Sequence, residues 1–129
     1  MPTASNASLQ KVPAADVDSG FLNRLYAIID KHLSDPDFGV EQLGERIGLS
    51  RVQLYRKTKT LCGYSPNELL RATRLKRAAS LLASTEKTIA EITYEVGFSS
   101  PSYFTKCYKE FFGENPAHFL KRKNENTGL

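Results

Sequence analysis

Two short runs carry side chains whose spacing suits hydrogen-bonding chemistry on a polyanion. In the first, Arg51, Val52, Tyr55, Arg56 and Lys59 recur at steps of three and four residues, which places them on one face of a helix. No acidic residue interrupts Ser50 to Leu61. In the second, Pro101, Ser102, Thr105, Lys106 and Lys109 follow the same spacing. Arginine and lysine pair with the O6 and N7 acceptors of guanine, serine and threonine bond donors or acceptors, and a valine packs against a thymine methyl group. Ser50 and Ser100 each stand just before such a helix, where first-turn N–H groups and the positive end of the dipole suit a phosphate. The residues proposed for base edges are therefore Arg51, Val52, Tyr55, Arg56, Pro101, Ser102, Thr105 and Lys106. Ser50, Lys59, Ser100 and Lys109 are expected at phosphates, and the basic cluster from Arg71 to Arg77 at phosphates or in solvent.

The elements that must position these stripes are all helices, because no segment alternates as a strand does. Phe21, Leu25, Ile28, Ile29 and His32 or Leu33 form the inner face of a helix from about Gly20 to Leu33, capped by Asp18 or Ser19 and ended by Asp35-Pro36-Asp37. Val40, Leu43 and Ile47 mark a second, short helix. Ser50 with Gln53 is a capping box for a third, with Leu54, Thr58 and Leu61 inward and Gly63 as the stop. Ser65-Pro66-Asn67-Glu68 opens the longest helix, which runs to about Ala83 with Leu70, Leu75, Ala78, Ala79 and Leu82 on its apolar side. Thr88 with Glu91 caps a fifth helix, striped by Ile89, Ile92 and Val96. Ser100-Pro101 opens the sixth, and Asn115-Pro116 opens the seventh, with Phe119 and Leu120 inward. The aromatics Tyr103, Phe104, Tyr108, Phe111 and Phe112 are expected to pack as core rather than to stack on bases. Residues 1–17 and 124–129 read as polar tails.

The chain repeats itself. Val40, Leu43, Ile47 and Gly48 match Ile89, Ile92, Val96 and Gly97 at an offset of 49 residues. One residue is then inserted in the second turn, and Ser50, Leu54, Thr58, Gly63, Pro66 and Leu70 match Ser100, Phe104, Tyr108, Gly113, Pro116 and Leu120 at an offset of 50. Helix, turn, helix, stop and restart occur twice, which is too few copies for a solenoid. The expected architecture is all-α, with two helix-turn-helix subdomains (18–64 and 85–123) joined by a linker helix over 65–84.

Charge agrees with a polyanionic partner. The 129 residues carry a net charge of +4, unevenly placed. Residues 1–49 hold four Lys/Arg and seven Asp/Glu, whereas residues 50–129 hold 14 and seven. Paired catalytic carboxylates, a nucleophile beside a histidine, a glycine-rich phosphate loop and metal-ligand spacing are all absent from the sequence, so neither catalysis, metal nor cofactor is expected. Cys62 and Cys107 stand 45 residues apart and read as reduced thiols of a cytoplasmic protein. His32 and His118 read as surface or packing residues. No apolar run approaches the ~18 residues of a membrane span, and the N-terminus lacks the pattern of a secretion signal.

Ile89-Ala90-Glu91-Ile92, Val96-Gly97-Phe98, Ser102-Tyr103-Phe104, Lys106, Tyr108-Lys109, Phe112-Gly113 and Asn115-Pro116 together resemble the DNA-binding domain of the AraC/XylS family of bacterial transcription regulators. The resemblance covers about Phe21 to Arg122 and is more specific in the second half. It implies that the helices Arg51–Leu61 and Pro101–Phe112 read major grooves on one face of double-stranded promoter or operator DNA, joined by the helix Pro66–Ala83. Two departures stand out. The family usually has alanine where Gly44 and Thr93 stand, and the bulkier Thr93 is expected to loosen its helix pair slightly. Pro101 narrows the set of base readers in the second unit. Leu54-Tyr55-Arg56-Lys57, Ser65-Pro66-Asn67-Glu68 and Arg74-Leu75-Lys76-Arg77-Ala78-Ala79 are similar to the C-terminal output domain of hybrid two-component regulators, in which a sensor kinase and a receiver precede this domain. Such an intact regulator implies RNA polymerase and a second copy as further partners, and a membrane anchor in other domains. The rival reading is a helical protein-interaction module, for RNA polymerase as an example, with an incidental basic surface.

Overall fold

The computed structural model describes residues 12–127. Among them seven helices follow one another, with no strand: α1 (Val12–His32), α2 (Val40–Ile47), α3 (Arg51–Cys62), α4 (Pro66–Ser84), α5 (Ile89–Glu95), α6 (Pro101–Phe112) and α7 (Pro116–Thr127). The expected all-α class and element order hold. Both expected tails are corrected where they are described. Residues 12–17 belong to α1, so Asp18 and Ser19 lie inside that helix and do not cap it. Pro13 in the first turn needs no N–H partner, and Ala14-Ala15 favour helix. Residues 124–127 continue α7. The reason is a tertiary anchor: the Lys123 ammonium donates to the carbonyls of Leu82 and Thr85, 2.8 Å each, and holds α7 against the end of α4. Residues 1–11 and 128–129, the rest of those expected tails, lie outside the described residues.

Local signals place the helix starts. The Ser50 hydroxyl accepts from the Gln53 amide at 3.2 Å while Gln53 Oε1 accepts from the Ser50 amide at 2.9 Å. Ser65 with Glu68 and Thr88 with Glu91 repeat the pattern. Ser100 Oγ accepts from the Tyr103 amide, and Asn115 Oδ1 from the His118 amide. Each such cap is worth about 1 kcal/mol. α3 and α6 both end on a glycine in the left-handed region, Gly63 at φ 80° and Gly113 at φ 84°.

Burial builds two apolar clusters. Phe21, Leu25, Ile29, Leu33, Phe38, Leu43, Leu54, Leu69 and Leu70 form one, from α1 to the start of α4. Leu75, Ala78, Leu82, Ile92, Val96, Phe98, Phe104, Cys107 and Tyr108 form the other. The long helix α4 enters both, its first half in the former and its second half in the latter. The expected inner faces of α1, α3, α4 and α5 are found there or packed against them, with Phe38, Leu69 and Phe98 added. Phe38 lies on the loop between α1 and α2, stacked at 4.6 Å on His32, where no helical period marks it.

The aromatic face of α6 needs correction. Phe104 and Tyr108 are buried, but Tyr103, Phe111 and Phe112 are 50%, 39% and 39% exposed. The stripe 104–108–111/112 outruns the elements it packs on, so the last-turn rings lean on Tyr108 (4.6 Å to Phe112) and on each other (4.9 Å). Thr93 does not loosen its pair at the closing contact: the Phe98 amide reaches the Thr93 carbonyl at 3.0 Å, as the Leu49 amide reaches that of Gly44. The Thr93 hydroxyl turns back to the Ile89 carbonyl at 2.8 Å, which leaves only its methyl to be packed.

Candidate nucleic-acid interface

The inner face of α3 is fixed by Leu54 and Thr58, both fully buried. One helical face being thus occupied, Arg51, Val52, Tyr55, Arg56 and Lys59 must point outward, and all five are exposed. The two apolar members decide the matter, because Val52 is 57% and Tyr55 49% exposed. Neither belongs to a core, and an apolar side chain held in water on a basic helix is available to a partner. Arg51 and Tyr55 line a cleft that continues to Ser65, Pro66 and Asn67 at the start of α4. Lys59 lies 3.9 Å from Glu68, with both side chains about half exposed, so that pair contributes little and leaves the ammonium free to exchange partners.

In α6 the buried residues Phe104, Cys107 and Tyr108 fix the inner face. Ser102, Lys106 and Lys109 are exposed, and Pro101 and Thr105 are half-buried at the edge of the stripe. The structure thus brings the expected residues together on two helix faces. The first face is denser in cations. The second holds a proline that offers no N–H at the helix start.

Ser50 and Ser100 stand at the N-termini as expected, with their hydroxyl oxygens engaged in capping. The Ser50 amide is also taken, by Gln53. The donors left for an anion at α3 are the amides of the next residues in its first turn.

The basic cluster on α4 divides. Lys76 and Arg77 are exposed, but Arg74 is half-buried and structural. Its guanidinium donates to the carbonyls of Leu33 (3.3 Å), Asp35 (2.9 Å) and Phe38 (3.1 Å), and so ties α4 to the turn that follows α1. Burial lowers its pKa from the ordinary arginine value, with Asp35 acting in the opposite sense. Sequence periodicity places Arg74 among the surface residues. Only the position of the loop after α1 reveals three carbonyls waiting for it.

Known proteins give the arrangement a context. A family model described as a helix-turn-helix domain matches residues 43–122. Histidine kinase P4 from Formosa agariphila is 33% identical over 122 residues, which cover 95% of this chain and 9% of that protein. The C-terminal domain of AraT, a response regulator from Geobacillus stearothermophilus, superimposes with a TM-score of 0.73 at 34% identity, over 79% of this chain and 84% of that one. The DNA-binding domain of AdpA, a global transcriptional factor solved in complex with a target DNA, gives a TM-score of 0.75 at 27% identity, over 81% and 94% of the two chains. The chain thus spans only a small part of that kinase, and 38% of the length of the Msm operon regulatory protein from Streptococcus mutans, to which it is 31% identical over 106 residues. Among the described residues no helix is long and apolar enough to cross a membrane. With its duplicated motif and two outward polar faces, the chain belongs to the AraC-type helix-turn-helix family, a family of sequence-specific DNA-binding transcription regulators.

Proposed function

We propose that α3 and α6 enter successive major grooves on one face of an operator, about 34 Å apart along the duplex. The observation that carries this reading is the pair of outward faces, each opposite a buried core on its own helix. Arg51, Val52, Tyr55 and Arg56 read bases in the first groove, and Pro101, Ser102, Thr105 and Lys106 in the second. Ser50, Lys59, Ser100 and Lys109 hold phosphates. The two units act as subdomains over 18–64 and 85–123, with α4 as the link. One chain then covers a site for which a single-motif protein needs a dimer. Selection of bound sites from a random DNA pool tests this. The expected result is two short motifs about one turn apart, each lost when one helix is mutated. A single motif means that one unit touches only the backbone.

We further propose that the domain is the cytoplasmic output end of a longer signal-responsive polypeptide of the hybrid two-component kind. The match to Histidine kinase P4, of which this chain covers 9%, supports that context. An immunoblot for the natural polypeptide that carries this sequence tests it, and a product of about 14 kDa (the mass of this chain) excludes it.

A second reading has its own observation. Phe111 and Phe112 expose apolar rings at the far end of α6. Such a patch suits a protein partner such as RNA polymerase. If random duplex DNA failed to bind even at low salt, an interaction module would become the primary reading.

A further inference from the structure

Between the two units lies a cleft of about 210 Å³ that neither base-reading face includes. Its polar lining is Asn67, Arg71 and Arg74 from α4, with Ser99 and Tyr103 from the second turn and the start of α6. No residue lining it is acidic. Arg74 is committed to backbone carbonyls. Arg71 is half-buried, lines the cleft and acts on Tyr103 across it. The carboxylate of Glu68, which the Ser65 amide and then Arg71 help to hold below its ordinary pKa, is engaged by that amide at 2.9 Å and lies near Lys59. Asn67 also lines the neighbouring cleft with Arg51 and Tyr55. A polar seam therefore runs from the reading face of α3, through Asn67 and Arg71, to Tyr103 beside the reading face of α6.

We propose that this cleft grips one backbone phosphate of the duplex, where the sugar–phosphate strand passes between the two major grooves entered by α3 and α6, with Arg71, Asn67 and Tyr103 as donors. The proposal rests on the two-groove reading and adds to it a contact that forms only when both helices are seated. A protein that occupies two grooves on one face must pass over the strands bordering the minor groove between them. A guanidinium offers five donors in a planar fork that matches phosphate oxygens. The Tyr103 phenol is held above its ordinary pKa, first by its hydrogen bond to the Cys107 thiol, while Arg71 acts in the opposite direction. Its one O–H turns from the Cys107 sulfur to the phosphate when the anion is present. A phosphate bound here fixes α4 against the start of α6, and so sets the spacing at which the two motifs are read.

The test uses the full chain and a duplex carrying both selected motifs, with each phosphate between them replaced in turn by an uncharged methylphosphonate. One linkage between the motifs should weaken wild-type binding roughly threefold to tenfold, and Arg71→Gln should weaken binding to the unmodified duplex by a similar factor. Combining the two should cost no more than either alone. Arg71→Gln should also flatten the salt dependence by about one unit and leave base preference unchanged, whereas Arg71→Lys should keep the slope. Tyr103→Phe, which removes one donor and little packing, should weaken binding roughly twofold to tenfold at the same linkage. If both motifs are still selected but the two losses simply add at every linkage, or the slope is unchanged in Arg71→Gln, the phosphate site is wrong while the two-groove reading stands. Selection of one motif only overturns both, and the missing second motif identifies that failure.

Discussion

Gly48 and Gly97 occupy the same place in the two helix-turn-helix units, and their surroundings differ sharply. Both have φ in the left-handed region, at 81° and 89°. A Cβ built on Gly48 meets nothing within 4 Å. One built on Gly97 falls 2.2 Å from the Leu33 carbonyl oxygen and 2.7 Å from Arg74 Nε. The first turn is free in solvent. The second is pressed into the junction where α4 meets the turn after α1. Each unit keeps its own cluster of apolar side chains, but only the second one uses its turn to contact the other half of the molecule. The same motif thus serves once as a local corner and once as an interface.

The largest effect should come from that difference. Gly97→Ala combines left-handed strain of about 1–2 kcal/mol with overpacking of about 1–3 kcal/mol, whereas Gly48→Ala carries only the strain. Urea unfolding should show the two variants separated by at least about 1 kcal/mol, and equal losses would remove Gly97 from the junction. A second contrast concerns the reading faces. The face with more cations should carry more of the affinity. Arg56→Ala should weaken specific binding by about 1–3 kcal/mol and relax one base position. Lys106→Ala should cost less, and Lys109→Ala should weaken all sequences alike. A titration series over base-substituted operators checks all three, and a larger loss at Lys106 reverses the ranking of the two units.

The two buried threonines differ as well. The Thr93 hydroxyl has the Ile89 carbonyl as acceptor, while Thr58 Oγ1 has no hydrogen-bond partner although the residue is wholly buried. Replacing Thr58 with valine keeps the shape and removes an unsatisfied hydroxyl. It should raise stability by about 1 kcal/mol, against about zero or a small loss for Thr93→Val. Thermal melts of the two variants decide it, and a destabilised Thr58→Val would mean that the hydroxyl has a partner after all.

The smallest effect lies in the caps. Gln53 closes the box at α3, and Gln42 reaches back to the Gly39 amide at α2. Glu68 and Glu91 do this for α4 and α5. The bonds from Ser65 and Thr88 hold both carboxyls below their ordinary values. Their contribution is present above the ordinary glutamate value and is lost as pH falls through the depressed one. Glu91→Gln keeps the bonding pattern without the titration. Its melting temperature should fall less steeply with acid than that of the parent, and parallel pH profiles would count against a role for this carboxylate.

Much of the molecule is legible in the chain. The four Ser or Thr caps, the stops at Gly63 and Gly113, and the helical spacing on α3 are local signals, and each fixes a boundary or a face within a few residues of itself. The duplicated pattern adds the order of the elements. What the pattern misses is long-range. Arg74 looks like any other basic residue of α4, and Lys123 like the start of a tail, because their partners stand about 40 residues away in the chain. Phe111 and Phe112 continue an apolar stripe, yet nothing in that stripe says where the supporting helices end.

The sequence by itself determined the all-α class, the seven helices, the repeat and the outward polar stripes, since propensity, capping and periodicity act over one or two turns. Tertiary structure alone decided which cations anchor the fold, which aromatics stay in water, and how the two units meet at Gly97 and the Arg71 cleft. Those outcomes depend on which carbonyls and side chains arrive from distant parts of the chain, and residue spacing holds no record of that.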